Sequence, residues 1–324
     1  MIEMRITNSM MSSTMLMNLN NSLRRMNKGN TQMVTGKKFS MPSDDPIGVS
    51  KSLALNTAVA QLERHKKNAE DATSWFQITE TAVAEVSNIL LRAKELAVSA
   101  DGLESKVDKE KIKVEIDQLT EELVNLSNTS YSGKHVFSGY RTEQKLLDEN
   151  GKYINEIKNK EKMDYQVSIG DTIDVNTLGH KLFGIAPNVP NPADLDTVNT
   201  GGTTPNDGAN AGETAQLIGV FEALSKALGD DNQTDIGKSI GRIEKHLDNV
   251  LSVRGEIGAK TRRMEMSIDR IEQDIINFTA LLSKNEDADM AEVIMKFKND
   301  ENVYRAALST GAKVIQPSLV DFIR

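Results

Sequence analysis

The 324-residue chain has no cysteine and few aromatic residues. Without cysteine there can be no disulfide bond, no thiolate metal ligand and no cysteine nucleophile. Aromatic residues make up 4% of the chain, and Trp75 is its single tryptophan. The core must therefore be packed mainly with aliphatic side chains, and small disulfide-stabilised folds are excluded.

An excess of basic charge and long apolar runs are also missing. Lys and Arg number 39 against 47 Asp and Glu, which gives a net charge of -8. This balance argues against a protein that binds nucleic acid phosphates. No run of about 18 apolar residues occurs, and the first residues contain no apolar stretch of signal-peptide length. We predict no nucleic-acid partner, no membrane partner and no cleaved export signal.

Residues that could carry chemistry are scattered. Gly237-Lys238-Ser239 resembles the end of a phosphate-binding loop, but Asn232 stands where the first glycine of that loop is required. The histidines are far apart in sequence: His65, His135, His180 and His246. We therefore predict no catalytic residue, no metal site and no cofactor, and a chain that is not an enzyme.

Two long segments show heptad patterns. The first, at residues 46–101, is preceded by Ser43, Asp44 and Asp45, which can cap a helix, and is followed by Gly102. The second spans residues 236–282, where apolar residues alternate in steps of four and three. Such patterns predict long helices packed along one another. In the first segment the seven-residue row is Leu55, Leu62, Ala69, Phe76, Val83, Leu90 and Ala97.

The chain between these segments is different in character. Asn150-Gly151 is a tight-turn signal, and Tyr165 and Val167 alternate with polar residues before Gly170. This pattern predicts a small β-rich region over about 134–184. The Pro, Gly, Asn, Asp and Thr content of 185–213 predicts a long, exposed and mobile loop.

We therefore predict a mainly α fold, a long antiparallel coiled-coil or helical bundle built from both termini, with a small β-rich domain inserted in the middle. Shorter apolar series near the two ends are expected to pack against each other. The predicted division has three parts: 1–42 with 286–324 as terminal helices, 43–133 with 215–285 as the long-helix bundle, and 134–214 as the β-rich outer domain with mobile loop 185–213.

Motifs at both ends resemble the flagellin superfamily. Residues 4–10, Met-Arg-Ile-Thr-Asn-Ser-Met, resemble its N-terminal region, and residues 286–292, Glu-Asp-Ala-Asp-Met-Ala-Glu, resemble its C-terminal motif. Residues 316–323, Gln-Pro-Ser-Leu-Val-Asp-Phe-Ile, are similar to the hook-associated branch of that superfamily. The family-motif residues singled out are Pro42, Ser43, Asp44, Asp45, Pro46, Asp287 and Asp289.

This resemblance implies a structural protein of the bacterial flagellum that forms an adaptor ring between hook and filament and is required for motility. The implied partners are another hook-associated protein on the hook side, filament flagellin on the distal side, further copies of the chain in the ring, and a cytoplasmic export chaperone at the C-terminal region. The implied location is extracellular, after export through the flagellar type III apparatus without a cleaved signal peptide. Filament flagellin itself is the alternative within the same class, and a helical signalling coiled-coil protein is the alternative from another class.

The resemblance also implies which residues make assembly contacts. In this family the terminal helices pair in an inner shell, where they also meet neighbouring subunits. The first series is therefore expected to pack against the last one. The expected contact residues are Leu16, Leu19, Leu23, Met26, Tyr304, Leu308, Ile315, Leu319 and Phe322.

Overall fold

The computed structural model describes residues 8–102, 105–168, 170–186 and 195–315. The predicted mainly α fold with a small β-containing middle region is confirmed. None of the helices in these ranges is long and apolar enough to cross a membrane. The helices are α1 (Asn8–Thr35), α2 (Pro46–Asp101), α3 (Lys106–Ser127), α4 (Gly179–Phe183), α5 (Gln216–Gly229), α6 (Gln233–Glu286) and α7 (Met290–Ile315).

The strands are short and pair in twos. Each of the four pairs, β1–β2, β3–β7, β4–β5 and β6–β8, is antiparallel. The β4–β5 hairpin turns at Gly170, whose φ is 80°, as the sequence predicts. The strands are β1 (Ser130–Tyr131), β2 (Lys134–His135), β3 (Ile157–Lys158), β4 (Asp164–Ser168), β5 (Asp171–Asp174), β6 (Ile185–Ala186), β7 (Gly208–Ala209) and β8 (Thr214–Ala215).

The chain divides into two compact units. The terminal unit comprises residues 1–62 and 273–324, and the central unit comprises residues 63–272. The β-rich region therefore belongs to the same compact unit as the C-terminal part of α2 (63–101) and the N-terminal part of α6 (233–272). The predicted three-part division is not tested by this grouping and stays a prediction.

The core of the central unit is built on the predicted heptad seam of α2. Thr79 is the one polar residue in the buried row, and its hydroxyl donates to the carbonyl of Trp75 at 2.8 Å, which satisfies the buried oxygen. Ile236, Ile243 and Val250 of α6 are equally buried. The fully buried row of α2 is Ala69, Ala72, Phe76, Thr79, Val83, Val86, Leu90, Ala93, Ala97 and Ala100.

The region predicted as an exposed loop carries secondary structure. β6 and β7 lie within it, and Leu195 is buried. The Asn159 side-chain amide donates to the Thr204 carbonyl at 3.1 Å, and the Asp207 carboxylate accepts from the Thr204 amide at 2.9 Å. Most of 195–213 is nevertheless exposed and outside regular secondary structure, and Asn and Asp side chains fix its turns. Its mobility stays a prediction. Residues 187–194 lie outside the described residues.

Candidate functional site

The candidate site is the antiparallel pair of α1 and α7 in the terminal unit. At one end of the pair, the Lys38 amide donates to the Glu286 carbonyl at 2.7 Å, and the Ala288 amide donates to the Gly36 carbonyl at 2.8 Å. Further along, Arg25 Nε lies 3.0 Å from Asp300 Oδ1. These contacts fix the register of one helix against the other.

Small and polar residues occupy much of the contact between the two helices. A Cβ added at Gly29 would lie 3.4 Å from Phe297 Cδ2, and a Cβ added at Gly311 would overlap Met15. The inward residues, which are buried or half-buried and follow steps of three and four, are Ser12, Met15, Leu19, Ser22, Met26, Gly29 and Met33 of α1, and Val293, Phe297, Asp300, Tyr304, Ala307 and Gly311 of α7.

The predicted contact residues fall into three groups. Leu19, Met26 and Tyr304 are half-buried in this contact, whereas Ile315 ends α7, and Leu319 and Phe322 lie outside the described residues. The third group is exposed: Leu16 by 60%, Leu23 by 48% and Leu308 by 45%.

Leu16, Leu23 and Leu308 thus lie at the edges of the contact within one chain, and their expected packing in the assembly stays a prediction. The helices meet along a neighbouring row in which the small residues Ser22 and Gly311 stand among larger ones such as Leu19. This row leaves Leu16, Leu23 and Leu308 at its edges. Whether these leucines contact other subunits is a separate question, and that part stays a prediction.

The exposed apolar side chains border two grooves along the helix pair. One has a volume of about 650 Å³ and is lined by Met10, Met11 and Met15 of α1 with Ala307 of α7. The other has a volume of about 470 Å³ and is lined by Leu23 and Met26 of α1 with Phe297 of α7. Methionine side chains are flexible and polarisable, so a surface rich in them can adapt to a packing partner. The arrangement is suited to binding helices.

The Pro-Ser-Asp-Asp-Pro motif forms the turn that starts α2. Asp45 Oδ1 accepts from the Gly48 amide at 2.9 Å, which confirms the predicted cap, and Pro46 is the first residue of α2. Asp44 instead reaches Lys28 of α1 at 3.0 Å. The hydrogen bond from Lys28 holds the pKa of the Asp44 carboxyl below its usual value.

The second motif joins α6 to α7. Asp289 Oδ1 accepts from the Ala291 amide at 2.9 Å and thus caps α7. Asp287 does not cap the helix, because its carboxylate accepts from the Ser283 hydroxyl. The side-chain amide of Asn285 donates to the Gly48 carbonyl at 2.9 Å and thereby links the two motifs. The sequence does not predict this contact, because a single asparagine has no periodic signal.

Replacing Asn285 with alanine is expected to loosen this link. The variant loses the bond to the Gly48 carbonyl and a second bond to Ser52 Oγ at 2.8 Å. Each bond contributes about 0.5–1.5 kcal/mol, so the link should weaken by about 1–3 kcal/mol. Hydrogen exchange of the amides in 37–52 should become faster. Asn299→Ala, at an exposed position of α7, is the control, and equal acceleration in both variants would contradict the assignment.

Comparison with known families decides where the chain belongs. Residues 6–142 match the bacterial flagellin N-terminal helical region, and residues 240–323 match the bacterial flagellin C-terminal helical region. Together the two segments cover more than half of the chain. The chain belongs to the bacterial flagellin family. The N-terminal match of this flagellin-family chain includes α1, and the C-terminal match includes α7.

Relatives of this flagellin-family chain include both hook-associated proteins and flagellins. Flagellar hook-associated protein 3 of Escherichia coli strain K12 is 28% identical over 317 residues, covering 94% of this chain and 95% of the relative. Flagellin of Bacillus subtilis strain 168 is 26% identical over 322 residues, covering 97% of each. A putative flagellar hook-associated protein from Vibrio parahaemolyticus shares the fold, with a TM-score of 0.61 and 17% identity over 75% of this chain and all of that structure (100%).

The two most buried histidines are core residues. Burial lowers the pKa of His246 to about 4, and burial also lowers the pKa of His180 to about 4. His180 Nε2 lies 2.9 Å from Asn159 Oδ1. Among the described residues, no group of three or more His, Cys, Asp or Glu side chains could hold a metal ion.

Proposed function

We propose that the chain is a structural, non-catalytic component of the bacterial flagellum that forms an adaptor ring between hook and filament, on which filament flagellin assembles. The observation that carries the proposal is the exposed apolar surface of the α1–α7 pair in a flagellin-family chain. Its similarity to a hook-associated protein along almost its whole length supports the junction role in particular.

The terminal helices bury little surface within one chain. In the described parts of α1 and α7, only Ser22, Val293 and Gly311 are buried, although the helices have 28 and 26 residues. Large exposed apolar surfaces on soluble chains mark contacts with other proteins. Assembly supplies the missing burial, so the ordering of these helices is coupled to stacking on neighbouring subunits.

The proposed partners follow from this role. Another hook-associated protein lies on the hook side, flagellin lies on the distal side, and copies of this chain complete the ring. Before assembly, a cytoplasmic chaperone binds the C-terminal region, and the chain leaves the cell through the flagellar type III apparatus without a cleaved signal peptide. Family membership supports these steps, and the absence of cysteine suits a chain that must not form accidental disulfides outside the cell.

Filament flagellin is the second candidate, because the Bacillus subtilis flagellin matches the same extent of the chain. The two functions differ in copy number, since a junction protein forms a short ring and a flagellin forms a long filament. Electron microscopy of cells lacking the chain separates them. Hooks without filaments, with flagellin shed into the medium, are expected, and filaments attached normally to hooks would overturn the proposal.

Leu308→Asp is expected to abolish filament attachment without unfolding the monomer. Leu308 is 45% exposed, so the charge is tolerated in the free chain but cannot be buried against a neighbour. Circular dichroism should show unchanged helix content, while electron microscopy should show bare hooks. Ser309→Asp, at the next exposed position, is the matched control and should still attach filaments. Normal attachment by Leu308→Asp would remove Leu308 from the assembly surface.

A further inference from the structure

The larger groove of the α1–α7 pair is rich in sulfur. It has a volume of about 650 Å³ and is lined by Met10, Met11 and Met15 of α1, with Ala307 and Thr310 of α7. We refer to it as the methionine groove. Nine of the fourteen methionines lie within the first 41 residues, and the chain has no cysteine. Reagents that attack sulfur therefore act on thioethers alone in this chain and find most of them near one end.

The three methionines of the groove differ in accessibility. Met10 is 56% exposed and Met11 is 47% exposed. Met15 is half-buried, and its sulfur lies against α7, because a Cβ added at Gly311 would be 2.5 Å from Met15 Sδ. In the free chain, solvent therefore reaches the thioethers of Met10 and Met11 more easily than that of Met15.

Peroxides oxidise an accessible methionine in one two-electron step. The thioether sulfur donates an electron pair to one oxygen of hydrogen peroxide, and the O–O bond breaks as the S–O bond forms. The other oxygen leaves with both hydrogens as water. Sulfur is thus oxidised by two electrons and the peroxide is reduced by two. The product is methionine sulfoxide, whose oxygen is polar and accepts hydrogen bonds.

Oxidation at Met10 and Met11 changes the assembly surface more than it changes the fold. In the free chain both side chains are about half exposed, so a sulfoxide oxygen can point into solvent. Once a neighbouring subunit covers the groove, the same oxygen is buried against apolar side chains, which costs free energy. Methionine-rich interfaces are disrupted in this way. The modification therefore separates assembly from folding.

We propose that Met10 and Met11 form a redox-sensitive modification site, at which a peroxide converts both thioethers to sulfoxides in the free chain and thereby prevents assembly. The inference rests on the proposed function and adds a chemical condition to it, since only chains with reduced thioethers assemble. Reversal requires methionine sulfoxide reductases and a dithiol. The sulfoxide oxygen then leaves as water, and the dithiol is oxidised to a disulfide.

Peptide mass spectrometry of the purified chain tests the site itself. After treatment with dilute hydrogen peroxide, Met10 and Met11 should gain one oxygen atom each before Met15 does. Met266, which is 61% exposed, is the internal standard for rapid oxidation, and the fully buried Met264 is the standard for protection. Circular dichroism should show unchanged helix content. Oxidation of Met15 before Met10 and Met11, or loss of helix content, would overturn the proposal.

Reconstitution on hooks tests the consequence for assembly. Purified chain and flagellin are added to cells that lack the chain, and electron microscopy counts the hooks that carry filaments. Peroxide-treated chain should give about tenfold fewer filaments than untreated chain. Treatment with the reductases for both sulfoxide epimers and a dithiol should restore attachment.

Two double variants assign this effect to the groove. Met10→Leu with Met11→Leu preserves the volume but cannot form a sulfoxide, so attachment should be equal before and after peroxide. Met17→Leu with Met266→Leu removes two exposed thioethers that do not line the groove, and this control should remain sensitive. Continued sensitivity of the first variant, or protection by the second, would place the damage elsewhere and overturn the proposal.

The same measurements separate this proposal from the proposed function. Sulfoxides at both Met10 and Met11 with unchanged filament attachment would overturn the modification site alone. Filaments attached normally to cells that lack the chain, with none added, would overturn the proposed function.

Discussion

Lowering the pH from 6.5 to 4 is expected to destabilise the central unit through His246 and His180. Both side chains are fully buried, and burial lowers each pKa to about 4 from the ordinary value of 6.5. Between these values the unfolded chain binds more protons than the folded one. The stability that the two neutral histidines contribute is therefore complete above pH 6.5 and is lost as the pH falls towards 4.

The size of the effect follows from the pKa difference. Each pKa unit corresponds to about 1.4 kcal/mol, so each histidine accounts for a loss of about 3 kcal/mol by pH 4. Neither ring nitrogen of His246 has a hydrogen-bond partner among the described residues. Its protonation must therefore either force water into the core or unfold the surrounding helices.

Urea unfolding at a series of pH values measures this loss. His246→Leu should flatten the pH dependence by about half and should raise stability at pH 7 by about 1–3 kcal/mol, because an unpaired buried polar group is removed. His65→Leu, where the histidine is only half-buried on α2, is the control and should leave the dependence in place. An unchanged pH dependence in His246→Leu would contradict the assignment.

The sequence predicts the long helices well, because their buried rows consist of apolar residues at regular spacing. The α2 row from Ala69 to Ala100 is buried as its heptads indicate, and Asp45 caps the helix start as its type indicates. In α6 the spacing is a less exact guide. Steps of four and three from Ile236 lead to Arg254, but Arg254 is exposed and lies 3.7 Å from Glu80, while the neighbouring Val253 is buried.

The candidate site is harder to predict for a physical reason. The contact between α1 and α7 uses Ser22, Gly29 and Gly311, which carry no hydrophobic signal, and it leaves Leu16 and Leu23 exposed. A hydrophobic pattern shows that a face will be buried but does not show by which partner. Here part of the pattern serves contacts within the chain, and the rest is available for contacts between chains.

Four substitutions in α6 are expected to stabilise the free chain strongly. A glycine inside a helix costs about 0.5–1 kcal/mol relative to alanine, because it loses more backbone freedom on folding. An alanine methyl group is accommodated without cost when nothing lies near it. The α6 glycines at which an added Cβ meets no atom within 4 Å are Gly237, Gly241, Gly255 and Gly258.

Replacing all four with alanine should therefore raise the free energy of unfolding by about 2–4 kcal/mol, measured by urea unfolding of the monomer. Gly151→Ala should have the opposite sign, because Gly151 has a φ of +69° and its added Cβ would lie 2.5 Å from Ile218 Cγ2. If the fourfold variant gained no stability, the claim that these four positions have room for a methyl group would be contradicted. If it gained stability but attached fewer filaments, the glycines would be explained by the close approach of a neighbouring subunit, since no atom of the described residues lies within 4 Å of the added Cβ atoms.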